Sequence, residues 1–280
     1  RPFPSTCAPL PALSSSCHRL PCPPRPPGSV PAVLPVLPLS PAPLAALSKL
    51  VELRLGDNYV SNFVPLNALT NLAFVIAGVW VAAHLPRRFA PRPVPLPYNL
   101  LAGGMALIGV CSGAFHTFST RWAGMLDVLS IALFIHAFVV CFAHYVLELR
   151  WSLAWIAAPA LWALGVFVTA PFDDGAFNGS IDYLPALAGL VLMALGLALR
   201  AQSGAGFFAL AALLFTISIG LRSVDLAWCD GWVWGTHWAW HLLNAGVLTL
   251  AMLGLTQARV KRIQGRRFRH RDRGRTCIRL

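Results

Sequence analysis

Residues 124–147 read GMLDVLSIALFIHAFVVCFAHYVL. At about 1.5 Å of rise per residue, a helix of this length crosses the roughly 30 Å of hydrocarbon in a bilayer. Asp127 is its one acid and no Lys or Arg interrupts it. Working outward, six further runs of spanning length and similar character recur: Leu66–Leu85, Asn99–Phe118, Trp151–Ala170, Tyr183–Leu199, Gly206–Leu221 and Thr236–Thr256. The expected fold is an all-α membrane protein, a bundle of seven transmembrane helices.

Composition agrees with this. The 280 residues are 57% hydrophobic and only 11% charged, far fewer charges than a water-soluble domain carries. Residues 1–48 hold 14 of the 23 prolines without helical or strand periodicity. Proline withholds backbone donors, so this stretch cannot span a bilayer and is expected to be a disordered tail. No unbroken apolar core marks it as a signal peptide. The opening at Arg1 rather than Met fits a fragment or a displaced start. A single domain over residues 49–257 and a basic tail over 258–280 complete the expected organisation.

The net charge of +12 comes largely from that tail, where ten of the 22 basic residues lie between Arg259 and Arg279. Such a cluster directly after a span reads as a contact with anionic lipid headgroups, and no nucleic-acid partner is expected. Seven cysteines without a CxxC pair support neither a zinc ribbon nor a redox motif.

The positive-inside rule sets an orientation. Arg87, Arg88 and Arg92 follow the first run, Arg150 the third, Arg200 the fifth and the basic tail the seventh. Opposite loops carry only Arg121 after the second run and Arg222 after the sixth, while Asp173, Asp174 and Asp182 separate the fourth from the fifth. The N-terminus is expected outside and the C-terminus in the cytoplasm.

Against this background, polar residues inside the runs carry information, because an ionisable side chain at mid-span costs at least about 2.5 kcal/mol. Ser112 and His116 are four apart near the end of the second run and so share a helix face. Asp127 opens the third run; His237 and His241, again four apart, open the seventh. The topology brings all five to one depth in the outer half of the membrane. Three neutral imidazoles with a position left for water are a ligand set for catalytic zinc.

Other polar residues fit less well. His136 is nine positions after Asp127 and faces the opposite side of its helix. His84 and His144 lie near cytoplasmic ends, where side chains snorkel. His18 and His270 belong to the tails, and Asn244 suits a bond between helices. Two other classes use similar residues: a bis-histidine haem protein, for two His on facing helices, and a transporter, for which no inverted repeat or paired broken helices are evident.

These motifs together resemble the alkaline ceramidase family, in particular its bacterial members. The resemblance rests on the Ser112–His116–Asp127 spacing, the His237–His241 pair, and the stretches PLNALTNLAF from Pro65, DVLSI from Asp127 and GTHWAWHLLN from Gly235. It covers about Pro65 to Leu255. The family lies in a larger superfamily of membrane hydrolases and receptors, so a heptahelical receptor without amidase activity is the alternative. The resemblance implies zinc held by His116, His237 and His241, with Ser112 and Asp127 completing an active site that cleaves the amide of ceramide or another N-acyl lipid. The calcium-binding pattern of the eukaryotic ceramidases is not carried over. Val64 stands where they have Glu, and Glu52, Asp57 and Asn58 are out of register with their acidic stretch.

The orientation is testable. A reporter fused after Arg273 is expected in the cytoplasm, and a tag inserted between Asp173 and Asp182 is expected to be labelled from outside. Labelling of that tag only after permeabilisation would reverse the topology.

Overall fold

The computed structural model describes residues 65–173, 176–228 and 235–276. The Pro-rich tail and the Glu52–Asn58 stretch lie outside the described residues. Among the described residues, seven helices are long and apolar enough to cross a membrane: α1 (Leu66–Phe89), α2 (Leu96–Phe118), α3 (Arg121–Tyr145), α4 (Trp151–Thr169), α5 (Ala176–Leu199), α6 (Ala205–Asp225) and α7 (His237–Gly265). No strand occurs among the described residues.

Each span packs against its neighbours in sequence, and α7 returns to α1, so the bundle closes into a ring. Large apolar side chains face outward, among them Ile76, Val110, Val128, Phe167 and Leu199, while Asn67, Asn71, Ser112, His116, Ser218, Asp225 and His241 are buried. This inversion of a soluble protein's surface is what lipid requires, since hydrocarbon solvates apolar side chains and leaves polar groups to find partners inside. The chain is an integral multi-pass membrane protein. Span α4 is the most peripheral, with no buried residue between Ala157 and Thr169. The core is filled by Leu85, Tyr98, Met105, Leu197, Phe208, Met252 and Leu255.

Several boundaries differ from the hydropathy reading. The helix carrying α6 runs on to Trp228, and that carrying α7 continues to Thr276. Arg222, expected in a loop, therefore sits inside a helix. The basic segment expected as a tail continues the seventh helix through Thr276. Near its start Arg259 and Arg262 approach the carboxylate of Glu148 at 3.9 and 3.4 Å. They also donate to the carbonyls of Tyr145 and Val146, which end α3. Basic groups at exposed helix carbonyls complement both the hydrogen-bonding need and the negative end of the helix dipole.

Close approach of α1 and α2 fixes the position of the residues that follow. A Cβ on Gly78 would lie 2.6 Å from the Ala102 carbonyl oxygen, and one on Gly109 would lie 2.7 Å from that of Asn71. Small residues let membrane helices meet backbone to backbone, and dispersion and weak polar contacts there replace the hydrophobic effect that lipid does not provide.

Gly109→Ala is therefore expected to lower the thermal midpoint of the detergent-solubilised protein, through overpacking worth about 1–3 kcal/mol. Gly103→Ala meets nothing within 4 Å and is expected to leave the midpoint unchanged or raise it slightly, because alanine favours a helix by up to about 1 kcal/mol. A rise of equal size in both variants would contradict the close contact.

Candidate metal centre

The centre begins with how α7 starts. The first amides of a helix have no partners within it, and inside a membrane they need an acceptor from elsewhere. Asp225, only 1% exposed, supplies one from α6. Its Oδ1 accepts hydrogen bonds from the backbone amides of Thr236 at 2.5 Å and His237 at 3.0 Å. The Thr236 hydroxyl lies 2.6 Å from the Leu221 carbonyl and 3.1 Å from the same Asp225 oxygen. The carboxylate thus caps α7 and complements the positive end of its dipole.

With α7 fixed, His237 and His241 lie one turn apart on its face toward α2. His116 meets them from the last turn of α2, which ends in a left-handed Ser119 (φ 50°). Ring centroids are 5.1 Å apart for His116 and His237, 4.8 Å for His116 and His241, and 4.7 Å for His237 and His241. One nitrogen from each ring falls within 4.8 Å of the others. His116 and His241 are buried and His237 is half-buried.

A further contact orients His241. Its Nδ1 lies 2.9 Å from Thr70 Oγ1, and that hydroxyl is 2.9 Å from the Leu66 carbonyl. With the single hydroxyl proton directed to Leu66, Oγ1 accepts from Nδ1–H and leaves Nε2 as the free acceptor of the ring. Such outer partners commonly fix the tautomer of a ligating histidine. Three converging imidazoles with one so oriented fit a small cation of tetrahedral preference.

Ser112 and Asp127 stand beside the trio. Ser112 is buried, and its hydroxyl faces the Asp127 carboxylate. Asp127 Oδ1 is buried without a hydrogen-bond partner. All five residues read from the sequence are accordingly grouped at one end of the bundle. His136 is elsewhere, its Nδ1 2.7 Å from the Ala132 carbonyl of its own helix. His84 stacks on Trp80, and His144 on Trp151. Asn244 Oδ1 accepts from Ser218 of α6 at 3.3 Å.

Three residues at the centre were not singled out by the sequence. Thr70 and Asp225 act through the histidines, as described. Arg222 places its guanidinium over the rings of Tyr183 and Trp240, at 5.4 and 5.3 Å from their centroids. The available signal was weak: Arg222 and Asp225 are two charges three residues apart after an apolar run, which reads equally well as a loop.

No protein-family model matches this chain, and no curated protein matches it.

If the three histidines act as one ligand set, replacing any one with Ala is expected to remove most of the bound zinc from protein purified in its presence, because two imidazoles leave an incomplete site. His136→Ala is expected to retain it. Metal analysis by mass spectrometry checks both; equal loss from His136→Ala would exclude this centre.

Proposed function

We propose that the chain is a zinc-dependent amidohydrolase of membrane lipids. It would cleave the amide of ceramide or a related N-acyl lipid into a free amine, a sphingoid base in the case of ceramide, and a fatty acid. The observation that carries this reading is the convergence of three imidazoles beside a serine–aspartate pair, inside the membrane-spanning region.

His116, His237 and His241 would hold the ion. A zinc ion bound there supplies Lewis acidity toward a carbonyl oxygen and activates water. Asp127, whose Oδ1 has no protein partner, is suited to hold the attacking water, take up its proton and deliver it to the leaving nitrogen. The Ser112 hydroxyl is suited to donate a hydrogen bond to the oxygen on which negative charge develops. Water adds across the C–N bond, so the acyl carbon gains oxygen and the nitrogen leaves protonated. An amphiphile suits this placement because its tails stay in lipid while its amide, near the headgroup boundary, reaches the centre.

The test is turnover of a panel of N-acyl lipids, ceramides among them, by the purified full chain. Asp127→Asn and Ser112→Ala are expected to keep substantial zinc while turnover falls by about 10² or more, the usual effect of losing an acid–base group or an oxyanion donor. Zinc retained by the unmutated protein with no turnover of any lipid in the panel would reject the hydrolase and favour a receptor of the same superfamily.

A further inference from the structure

Away from the histidines, a cavity of about 350 Å³ opens between α3, α4 and α5. Span α4 packs on both of its neighbours here but buries none of its residues between Ala157 and Thr169. The gap stays open because α5 faces it with glycine: a Cβ on Gly189 or Gly196 would meet nothing within 4 Å. The cavity is a groove rather than a round chamber. Its wall runs along α5 from Gly189 to Arg200, and along α3 from Val139 to Leu147, just past the end of that helix. The helix rise from Gly189 to Arg200 is roughly 16 Å, about half of the roughly 30 Å of hydrocarbon in a bilayer. Arg200 directly follows an apolar span, the position from which an arginine head reaches the headgroup level. The groove therefore follows one leaflet from its headgroups to the mid-plane.

Arg200, which is exposed, is the one charged residue in the wall. It lies at the end of the bundle opposite the histidine centre, since α5 begins beside that centre with Tyr183 against Trp240. The same end carries Arg87 and Arg88 in the last turn of α1, Arg150 ahead of α4, and Arg259 and Arg262 on α7. Glu148, in the turn after α3, faces Arg259 and Arg262. Positive charge thus dominates around the mouth of the groove. Its width excludes a helix: spread over its length, the volume gives a cross-section of roughly 20 Å², whereas a helix with its side chains is about 10–12 Å across. A single alkyl chain fits. Such a chain gains little over bulk lipid, because both surroundings are hydrocarbon, so any preference has to come from the head. A guanidinium at headgroup level selects phosphate through parallel N–H···O bonds, and the basic surroundings favour a head whose charge no ammonium offsets.

We propose that this groove holds one acyl chain of an anionic phospholipid, with the lipid phosphate on Arg200. The site is separate from the histidine centre and does not depend on what that centre binds. On the orientation expected from the sequence it belongs to the cytoplasmic leaflet, where anionic lipids are enriched.

Native mass spectrometry of the full chain released from detergent, titrated with dioleoylphosphatidylglycerol or dioleoylphosphatidylcholine, measures the lipids bound per chain and the affinity of the first. The unmutated chain is expected to bind its first phosphatidylglycerol about fivefold more tightly than phosphatidylcholine, the effect of one arginine near an anionic head. Arg200→Gln is expected to remove that preference and to leave phosphatidylcholine affinity unchanged. Gly196→Leu fills the groove one turn below Arg200 without altering a charge, and is expected to weaken the first phosphatidylglycerol by about fivefold or more, as for a side chain placed in occupied space. Because position 196 meets open space, this variant is expected to fold, and it decides the matter should Arg200→Gln not. Arg92→Gln, at the same end but outside the groove, is expected to change neither affinity. Equal losses from Arg92→Gln and Arg200→Gln would mean diffuse attraction to the basic end and would overturn the site. Unchanged phosphatidylglycerol binding in Gly196→Leu would overturn it too, as would a dimer that Gly196→Leu dissociates without altering lipid binding, which would give the groove to a second copy of the chain.

Discussion

The carboxylate of Asp225 sets the geometry on which the centre depends. A helix starting inside a membrane cannot leave its first amides to water, and α7 starts at His237, where the centre is built. By accepting from the amides of Thr236 and His237, Asp225 fixes the rotation of α7 about its own axis. That rotation points His237 and His241 toward α2 together, since they are one turn apart. The same helix is held on its other side by Thr70 of α1, through His241 Nδ1. His116 is placed separately, by the backbone contact of α1 with α2 at Gly109 and Asn71. Two helix-pair contacts and one cap therefore bring three imidazoles from opposite ends of the sequence to one point.

The seven spans could be read from the sequence because lipid imposes a length and a polarity on each, and neither depends on which helices become neighbours. Their ends were harder to read. Hydropathy falls at Arg222 and Asp225, yet the helix continues to Trp228: Asp225 accepts from the start of α7 and Arg222 lies over the rings of Tyr183 and Trp240, both inside the bundle rather than in water. It falls again after Thr256, yet the helix continues to Thr276, through Arg, Lys and Gln residues that are good helix formers. In both places the sequence signal was solvation, whereas the backbone followed local propensity and tertiary contacts.

The centre divides along a similar line. Pairs four apart, such as Ser112 with His116 and His237 with His241, are legible because helical periodicity alone puts them on one face. Asp127 joined them through a matching depth in the membrane. Thr70, Arg222 and Asp225 have no such local mark. Thr70 matters only because the ring closes α7 onto α1, and Asp225 only because it reaches residues eleven and twelve positions on. Arg222 looked like a loop residue in a count of basic charges, and its inward placement depends on the aromatic faces supplied by α5 and α7.

The arrangement also discriminates among the metal chemistries that the histidines first allowed. A bis-histidine haem needs two imidazoles on opposite faces of a flat macrocycle many atoms wide, with nothing else in its plane. Here the third ring is not set apart: His116 is 5.1 and 4.8 Å from the other two, and those two are 4.7 Å from each other. Whichever pair is chosen as axial ligands, the remaining imidazole stands where the macrocycle would pass. Convergence of three rings on one point instead suits a single small ion, which His116, His237 and His241 would hold. Asp127, whose buried Oδ1 has no protein partner, belongs to the same end of the bundle. The polar groups that lipid would exclude elsewhere are thus gathered around the three imidazoles.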